Sequence, residues 1–312
     1  MRQRLEVRPQ NLLLGVSLIV ATGFTISVQD VVFKLFSNEL TLWQIFVLRG
    51  VLAVPLLLAV SRVRGRHRGL LRTAFGKWVL LRSLFITTTF LAFYAALPFL
   101  SLSTVGAANY LAPLFVTLLS ACVIREAVGI RGWLGVCLGF AGIVILLRPG
   151  TDAFSSWALL PVVGAAFYAL AHITTRVRCQ GIPLAAISLS QNIVMMLSGL
   201  LVSLVLFGVQ PEGAFFEAYP YVFGLWTAPD MTDWLVLALL AGFAVVIGMM
   251  LAGAYQAAPP SVVSTFEYSY LVFVAVWDIL FFGIEPTPGS VTGMVLIVLA
   301  GLLVLQRRPV TS

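Results

Sequence analysis

The chain has 312 residues, 60% of them hydrophobic and 10% charged, with a formal net charge of +7 and a mean hydropathy of +1.03. So little polar surface cannot cover a water-soluble globule of this length. The basic excess would suit a nucleic-acid partner in a soluble protein, but here Lys and Arg sit in short segments beside apolar runs, where they act as topology signals, so no nucleic-acid partner is expected.

In chain order the apolar runs are roughly 11–36, 41–61, 77–98, 101–124, 131–147, 156–176, 183–207, 232–256, 260–283 and 288–306. Each is near the ~20 residues that a helix rising 1.5 Å per residue needs to cross a hydrocarbon core of about 30 Å. The pattern predicts an all-α polytopic membrane protein with ten transmembrane helices and the lipid bilayer as its main partner. The first run is full-length and lacks a small-residue cleavage site, so it reads as a helix rather than a signal peptide. Cys122, Cys137 and Cys179 have no metal-ligand spacing, and neither a disulfide framework nor a metal site is expected.

Basic residues orient the bundle. Arg2, Arg4, Arg8, Arg62, Arg64, Arg66, Arg68, Arg72, Lys77, Arg125, Arg131, Arg176, Arg178, Arg307 and Arg308 fall on one side, and only Arg148 on the other. Because cytoplasmic loops retain Lys and Arg, both termini are expected in the cytoplasm. The longest opposite loop, 208–231, holds Glu212, Glu217 and Asp230, no base, and six aromatic residues, as expected of a segment lying in the headgroup interface; a gate is the other reading.

An internal repeat appears at an offset near 160. Tyr94-Ala-Ala-Leu-Pro98 matches Tyr255-Gln-Ala-Ala-Pro259, Ser103-Thr104 matches Ser264-Thr265, and the Gly142–Pro149 stretch resembles Gly301–Pro309. Five helices per half, an odd number, turn the second copy upside down, the symmetry of alternating-access carriers. The halves are expected at 1–149 and 150–312. The stretch FYAALPFLSLSTVGAANYLAPLFVTLLSACVIREAVGIRGWLGVCLGFAGIVILLRPG closely resembles the end of the first EamA domain of the drug/metabolite transporter superfamily. The stretch AYQAAPPSVVSTFEYSYLVFVAVWDILFFGIEPTPGSVTGMVLIVLAGLLVLQRRP resembles the end of the second. That resemblance, over essentially the whole chain, implies two inverted five-helix repeats around a central cavity in a bacterial inner membrane. One departure stands out: Pro113 has no counterpart near Phe273, which predicts unequal bending of the fourth and ninth helices.

Ionisable groups in hydrocarbon are costly, so each is either functional or paired. Counted from the nearest helix end, Arg49 and Asn109 lie about 12 Å deep, and Glu267, Tyr268 and Tyr270 about 10–15 Å from the cytoplasmic face. With Tyr110 they form the expected substrate site. Arg49 would hold a carboxylate or phosphate through its planar fork, and Glu267 an ammonium group or a coupling proton. The alternative is that Arg49 pairs with Asp30 or Glu267 to fix packing. Gln29, Asp30 and Asp278 are expected to line a vestibule. His172 is read as a hydrogen-bonded packing residue or a proton relay. Lys34 and Arg82 are expected to snorkel toward the interfaces, and Glu126 to pair with Arg125 or Arg131. An aromatic set (Tyr94, Tyr110, Tyr168, Tyr255, Tyr268, Tyr270 and Trp277) offers stacking walls or ordinary packing. Gly135, Gly139, Gly142, Gly293 and Gly301 leave grooves for close helix contact.

No phosphate-binding loop is present in the sequence, so ATP is not expected as an energy source, nor is any cofactor. The expected function is a secondary carrier for a small polar metabolite, an amino acid or derivative, acting in export. The alternative is an uptake carrier for a vitamin- or nucleoside-like metabolite. An intramembrane lipid-modifying enzyme is disfavoured for want of a nucleophile and base at depth, so no enzymatic activity is expected. A proton or another cation is the expected coupling partner, and the carrier would be a monomer or homodimer. For the topology, a single cysteine at position 66 should react with impermeant reagents only from the cytoplasmic side; labelling from outside intact cells would reverse the orientation.

Overall fold

The computed structural model describes residues 11–36, 40–63, 69–100, 102–147, 155–283 and 288–305. The basic clusters at 2–8, 64–68 and 307–308, together with Arg148 and the side chain of Lys34, lie outside the described residues. Among the described residues all regular structure is helical. The elements are α1 (Leu12–Phe36), α2 (Leu42–Val63), α3 (Leu70–Ala74), α4 (Lys77–Ala96), α5 (Leu102–Asn109), α6 (Ala112–Leu119), α7 (Ile130–Leu147), α8 (Leu159–Arg178), α9 (Leu184–Val209), α10 (Ala214–Glu217), α11 (Pro220–Phe223), α12 (Met231–Ala257), α13 (Pro260–Glu267), α14 (Ser269–Phe282) and α15 (Pro288–Leu305). A π-turn (Ser120–Ile124) extends α6, and a 3₁₀ turn (Ser156–Ala158) leads into α8.

Seven of these helical stretches are long and apolar enough to cross a bilayer, and three shorter apolar ones accompany them: Ala112–Ile124, Ile130–Ile145 and Val291–Leu303. The chain is a multi-pass membrane protein. Its surface is correspondingly apolar, with Leu201, Leu204, Phe207, Leu235, Leu239 and Leu299 exposed around the bundle. The interior instead collects small and polar residues: Ala53, Ala165, Ala169, Ala252, Ser188 and Ser261 are all fully buried. That inversion follows from the solvent, since lipid rewards no burial of Leu while close backbone approach and interhelical hydrogen bonds do hold helices together. Ser83 and Ser190 bond across α4 and α9 at 3.0 Å, and the Thr89 hydroxyl donates to the Gly164 carbonyl at 2.9 Å.

The principal helix contacts join early elements to late ones. α1 packs on α12 and α14, α2 on α9, α4 on α8, α6 on α8 and α13, and α7 on α15. The α7–α15 seam is the most extensive and rests on the expected glycines. A Cβ at Gly142 would come within 2.7 Å of the Gly293 carbonyl oxygen, and one at Gly139 within 2.4 Å of the Tyr268 ring.

Two breaks interrupt the helical path. Between α5 and α6 the chain turns at Tyr110 and Leu111, where the Leu111 N–H reaches only Ala108, three residues back. Pro113 explains it: a proline has no N–H for the carbonyl of Asn109 and its ring clashes with that group. Between α13 and α14 a second break falls at Tyr268, whose carbonyl takes the Leu271 N–H at 3.1 Å. No proline stands here, so the ninth helix breaks without the device that breaks the fourth, and the expected inequality lies in the kind of interruption. The first path alone carries the π-turn, which ends at Arg125 in the left-handed region (φ 60°).

The seam can be tested by overpacking. Gly142→Ala should lower the melting temperature in detergent, at a cost of about 1–3 kcal/mol. Gly208→Ala, whose added methyl meets nothing within 4 Å, should be neutral or slightly stabilising. Equal melting of the two variants would remove the close-contact explanation.

Candidate functional site

The expected site residues separate into neighbouring groups. Glu267 ends α13, half-buried, directly before the break. Its Oε1 accepts the Tyr255 hydroxyl from α12 at 2.7 Å and the Tyr168 hydroxyl from α8 at 2.9 Å. Its Oε2 has no hydrogen-bond partner among the described residues. His172, fully buried one turn beyond Tyr168, stacks on Tyr255 at 3.9 Å and lies 4.2 Å from the Tyr168 ring. Neither of its ring nitrogens has a partner among the described residues, so the hydrogen-bonded packing role expected for it is corrected to a stacked one.

The two helix breaks meet here. The Tyr268 hydroxyl points to the Tyr110 carbonyl at 3.4 Å, and the two rings lie 6.2 Å apart. Tyr110 is within electrostatic reach of both Glu267 and Asp30. Asp30, on α1, accepts the Tyr270 hydroxyl at 2.6 Å through Oδ2. Beside it the Trp277 indole donates to Ser27 at 2.8 Å, so α1 and α14 are joined by two polar contacts. Asp278 is half-buried on α14 within electrostatic reach of Tyr270, and Gln29 is half-buried on α1. Asn109 is half-buried at the end of α5, next to the first break.

Arg49 stands apart from Glu267. Its guanidinium lies 5.5 Å from the Phe46 ring centre and 3.8 Å from the Met195 sulfur. Tyr94 and Tyr221 are within its electrostatic reach, and Tyr94 also feels Asp30. Among the described residues no carboxylate pairs with it. Neither packing pair considered for Arg49 forms, because phenols hold both Asp30 and Glu267.

Arg82 corrects another expectation. It does not snorkel: at 1% exposure it is enclosed between α4, α8 and α9, donating to the Gln191 amide oxygen at 2.8 Å and approaching the Thr175 hydroxyl at 3.4 Å. The sequence signal for this polar knot was Gln191-Asn192 in the middle of an apolar helix. Glu126 accepts the hydroxyls of Ser120 and Ser261, tying the π-turn to the start of α13. Near it the Arg176 guanidinium and the Gln180 amide both donate to the Gln256 carbonyl, at 2.7 and 3.0 Å.

At the opposite pole the 208–231 segment is fastened to the start of α2. The Gln44 amide donates to the Thr227 carbonyl at 2.6 Å and accepts the Thr227 N–H at 3.1 Å. The Trp43 indole donates to the Val222 carbonyl at 2.7 Å, and the Tyr219 hydroxyl to the Pro98 carbonyl at 2.8 Å. Tyr221 of this segment reaches toward Arg49, and burial raises its hydroxyl pKa above the ordinary value. The aromatic residues thus serve as anchors to protein as well as interface markers.

With this arrangement in view, comparison with known proteins is direct. Residues 13–148 match the EamA-like transporter family. Over that stretch the chain resembles EamA-like transporters, and the relatives it matches are named as transporters. It is 26% identical over 270 residues to a riboflavin transporter of Brucella anthropi, covering 86% of this chain and 88% of that one. It is 20% identical over 293 residues to an S-adenosylmethionine uptake transporter of Rickettsia prowazekii, covering 93% and 92%. A riboflavin transporter of Vibrio cholerae is 28% identical over 195 residues, 62% of this chain and 59% of its own. A solved crystal structure, 18% identical, covers 95% of this chain and 98% of its own with a TM-score of 0.75, so the fold is shared.

Gln44 gives a direct test of the fastening. Gln44→Leu removes both amide bonds while keeping bulk, and should raise amide exchange over 220–230 by about tenfold, corresponding to about 1.4 kcal/mol. Unchanged exchange there would mean that the aromatic anchors alone hold the segment.

Proposed function

We propose that this protein is a secondary carrier for uptake of a small vitamin- or nucleoside-like metabolite with a flat heteroaromatic ring, an EamA-type member of the drug/metabolite transporter superfamily working by alternating access in a bacterial inner membrane with both termini cytoplasmic. The observation that carries this reading is the crossing of two helix breaks at Tyr110 and Tyr268, beside a carboxylate whose Oε2 has no hydrogen-bond partner among the described residues. Broken helices in corresponding positions of two halves mark binding sites in inverted-repeat carriers. Aromatic walls bind a flat ring over its faces, and Glu267 Oε2 can accept one N–H from the ring edge or from an amine. Arg49, free of any carboxylate among the described residues, offers planar donors to a carbonyl or anionic oxygen of the same solute, with Asn109 and Tyr270 at the margins.

The ten-helix, two-repeat reading, with halves 1–149 and 150–312, draws support from the reciprocal packing. If the spans are counted one to ten, the contacts pair one with eight and three with six, two with seven, four with nine, and five with ten. Exchanging the halves maps this set onto itself. The amino-acid exporter expected from the sequence has less behind it, because the relatives are named for riboflavin and for uptake of S-adenosylmethionine. The energy source in this reading is a gradient, with a proton or another cation taken at Glu267.

Uptake of labelled riboflavin, S-adenosylmethionine, a nucleoside set and an amino-acid set into cells with and without the protein tests the reading. Ring-containing solutes should accumulate, and Glu267→Gln and Arg49→Lys should each reduce their uptake at least tenfold with melting temperature preserved. Amino-acid efflux without uptake of any ring compound would sink it. Full uptake by Arg49→Lys would assign Arg49 to the scaffold.

A further inference from the structure

Within four residues, 267–270, the chain carries one carboxylate, a helix break, and the phenol that holds a second carboxylate. Glu267 lies on the α13 side of the break, tied to α8 and α12 through Tyr168 and Tyr255. Tyr270 lies on the α14 side, tied to Asp30 of α1. The pivot between them is itself seated: a Cβ at Gly139 of α7 would collide with the Tyr268 ring, and the Tyr270 backbone N–H group is 3.2 Å from where a Cβ on Gly23 of α1 would stand. A rotation at Tyr268 that displaces Glu267 must therefore also shift Tyr270 against Asp30.

We propose that Asp30 and Glu267 are a linked pair of proton sites whose occupancies are coupled mechanically through the break at Tyr268. This rests on the carrier reading above and adds a second site, on the first half of the chain, to the one at Glu267. An ionised carboxylate is a strong acceptor of a phenol O–H, and protonation weakens it. A proton added at Glu267 Oε2 leaves the phenol protons on Tyr168 and Tyr255 but loosens both bonds at Oε1. The end of α13 is then free to rotate, Tyr270 is drawn from Asp30 Oδ2, and Asp30 changes its own proton affinity. The same steps run in reverse from Asp30.

The groups facing the pair come from every neighbouring element. Tyr168 faces Glu267 from α8 and Tyr255 from α12, with His172 packed against both rings, and Tyr110 faces both carboxylates from the first break. Tyr94 faces Asp30 from α4, with Arg49 beyond it, and Asp278 lies near Tyr270 on α14. No cation among the described residues pairs with either carboxylate, so a charge on one is compensated by phenols and by the state of the other.

The test reads the carboxyl groups without needing a substrate. Difference infrared spectra of the protein in lipid, titrated over about pH 4–10, isolate protonated-carboxyl bands that vanish in Glu267→Gln and in Asp30→Asn. The Asp30 band in Glu267→Gln should have its midpoint moved by about one pH unit or more from the parent, a tenfold change in proton affinity. On a Tyr270→Phe background, which removes only the hydroxyl, that displacement should vanish. Melting curves of each variant verify folding. An Asp30 midpoint unaffected by Glu267→Gln, a displacement that survives Tyr270→Phe, or the absence of any titrating Asp30 band overturns the linkage. Failure of solute uptake by the parent protein would instead defeat the carrier reading, since the infrared titration stands apart from it.

Discussion

Hydrocarbon offers no water to a buried polar group, and most of this architecture answers that one constraint. Two half-buried carboxylates at the crossing are met by phenols, Glu267 by two and Asp30 by one. Phenols suit the task because their rings pack like any apolar side chain while their hydroxyls donate at the far end. The rings can therefore fill the space between helices that cross at their own interruptions. Where the cation is Arg82 the answer is an amide and a hydroxyl, Gln191 and Thr175, with no opposite charge. Arg49 is answered, among the described residues, by the Phe46 ring and the Met195 sulfur.

Much of the scaffold was legible because its rules are local. Run length set the helices to within a few residues, spaced glycines gave the α7–α15 seam, and Pro113 announced the first break. The second break was not legible: nothing in Ser-Thr-Phe-Glu-Tyr-Ser-Tyr stops a helix, and the interruption coincides with Glu267 being held from two other helices. Arg82 was misjudged for a related reason. Depth counted along one helix takes no account of Gln191 and Thr175, which reach it from sequence positions about a hundred residues away. The Glu267 shell shows the same limit. Tyr168 and Tyr255 could be named as aromatic residues inside spans, but a hydroxyl's aim depends on helix rotation, which composition does not encode.

The family comparison and the geometry bear on different questions. Among the relatives are proteins named as a riboflavin transporter and an S-adenosylmethionine uptake transporter. The geometry adds a place, the crossing of two interrupted helices at Tyr110 and Tyr268. Tyr110 and Tyr268, both named from the sequence as members of the expected site, meet where two helices are interrupted.

The two poles of the bundle are closed by different chemistry. At one, a neutral amide, Gln44, pairs with the backbone of Thr227 as a strand would pair with its neighbour, and indole and phenol donors complete the attachment. At the other, Arg176 and Glu126 hold carbonyl and hydroxyl groups through charge. Hydrogen bonds with one ionised partner are shorter and stronger than those between neutral groups. One attachment is made wholly of neutral groups, while the other sets a cation and an anion within one cluster.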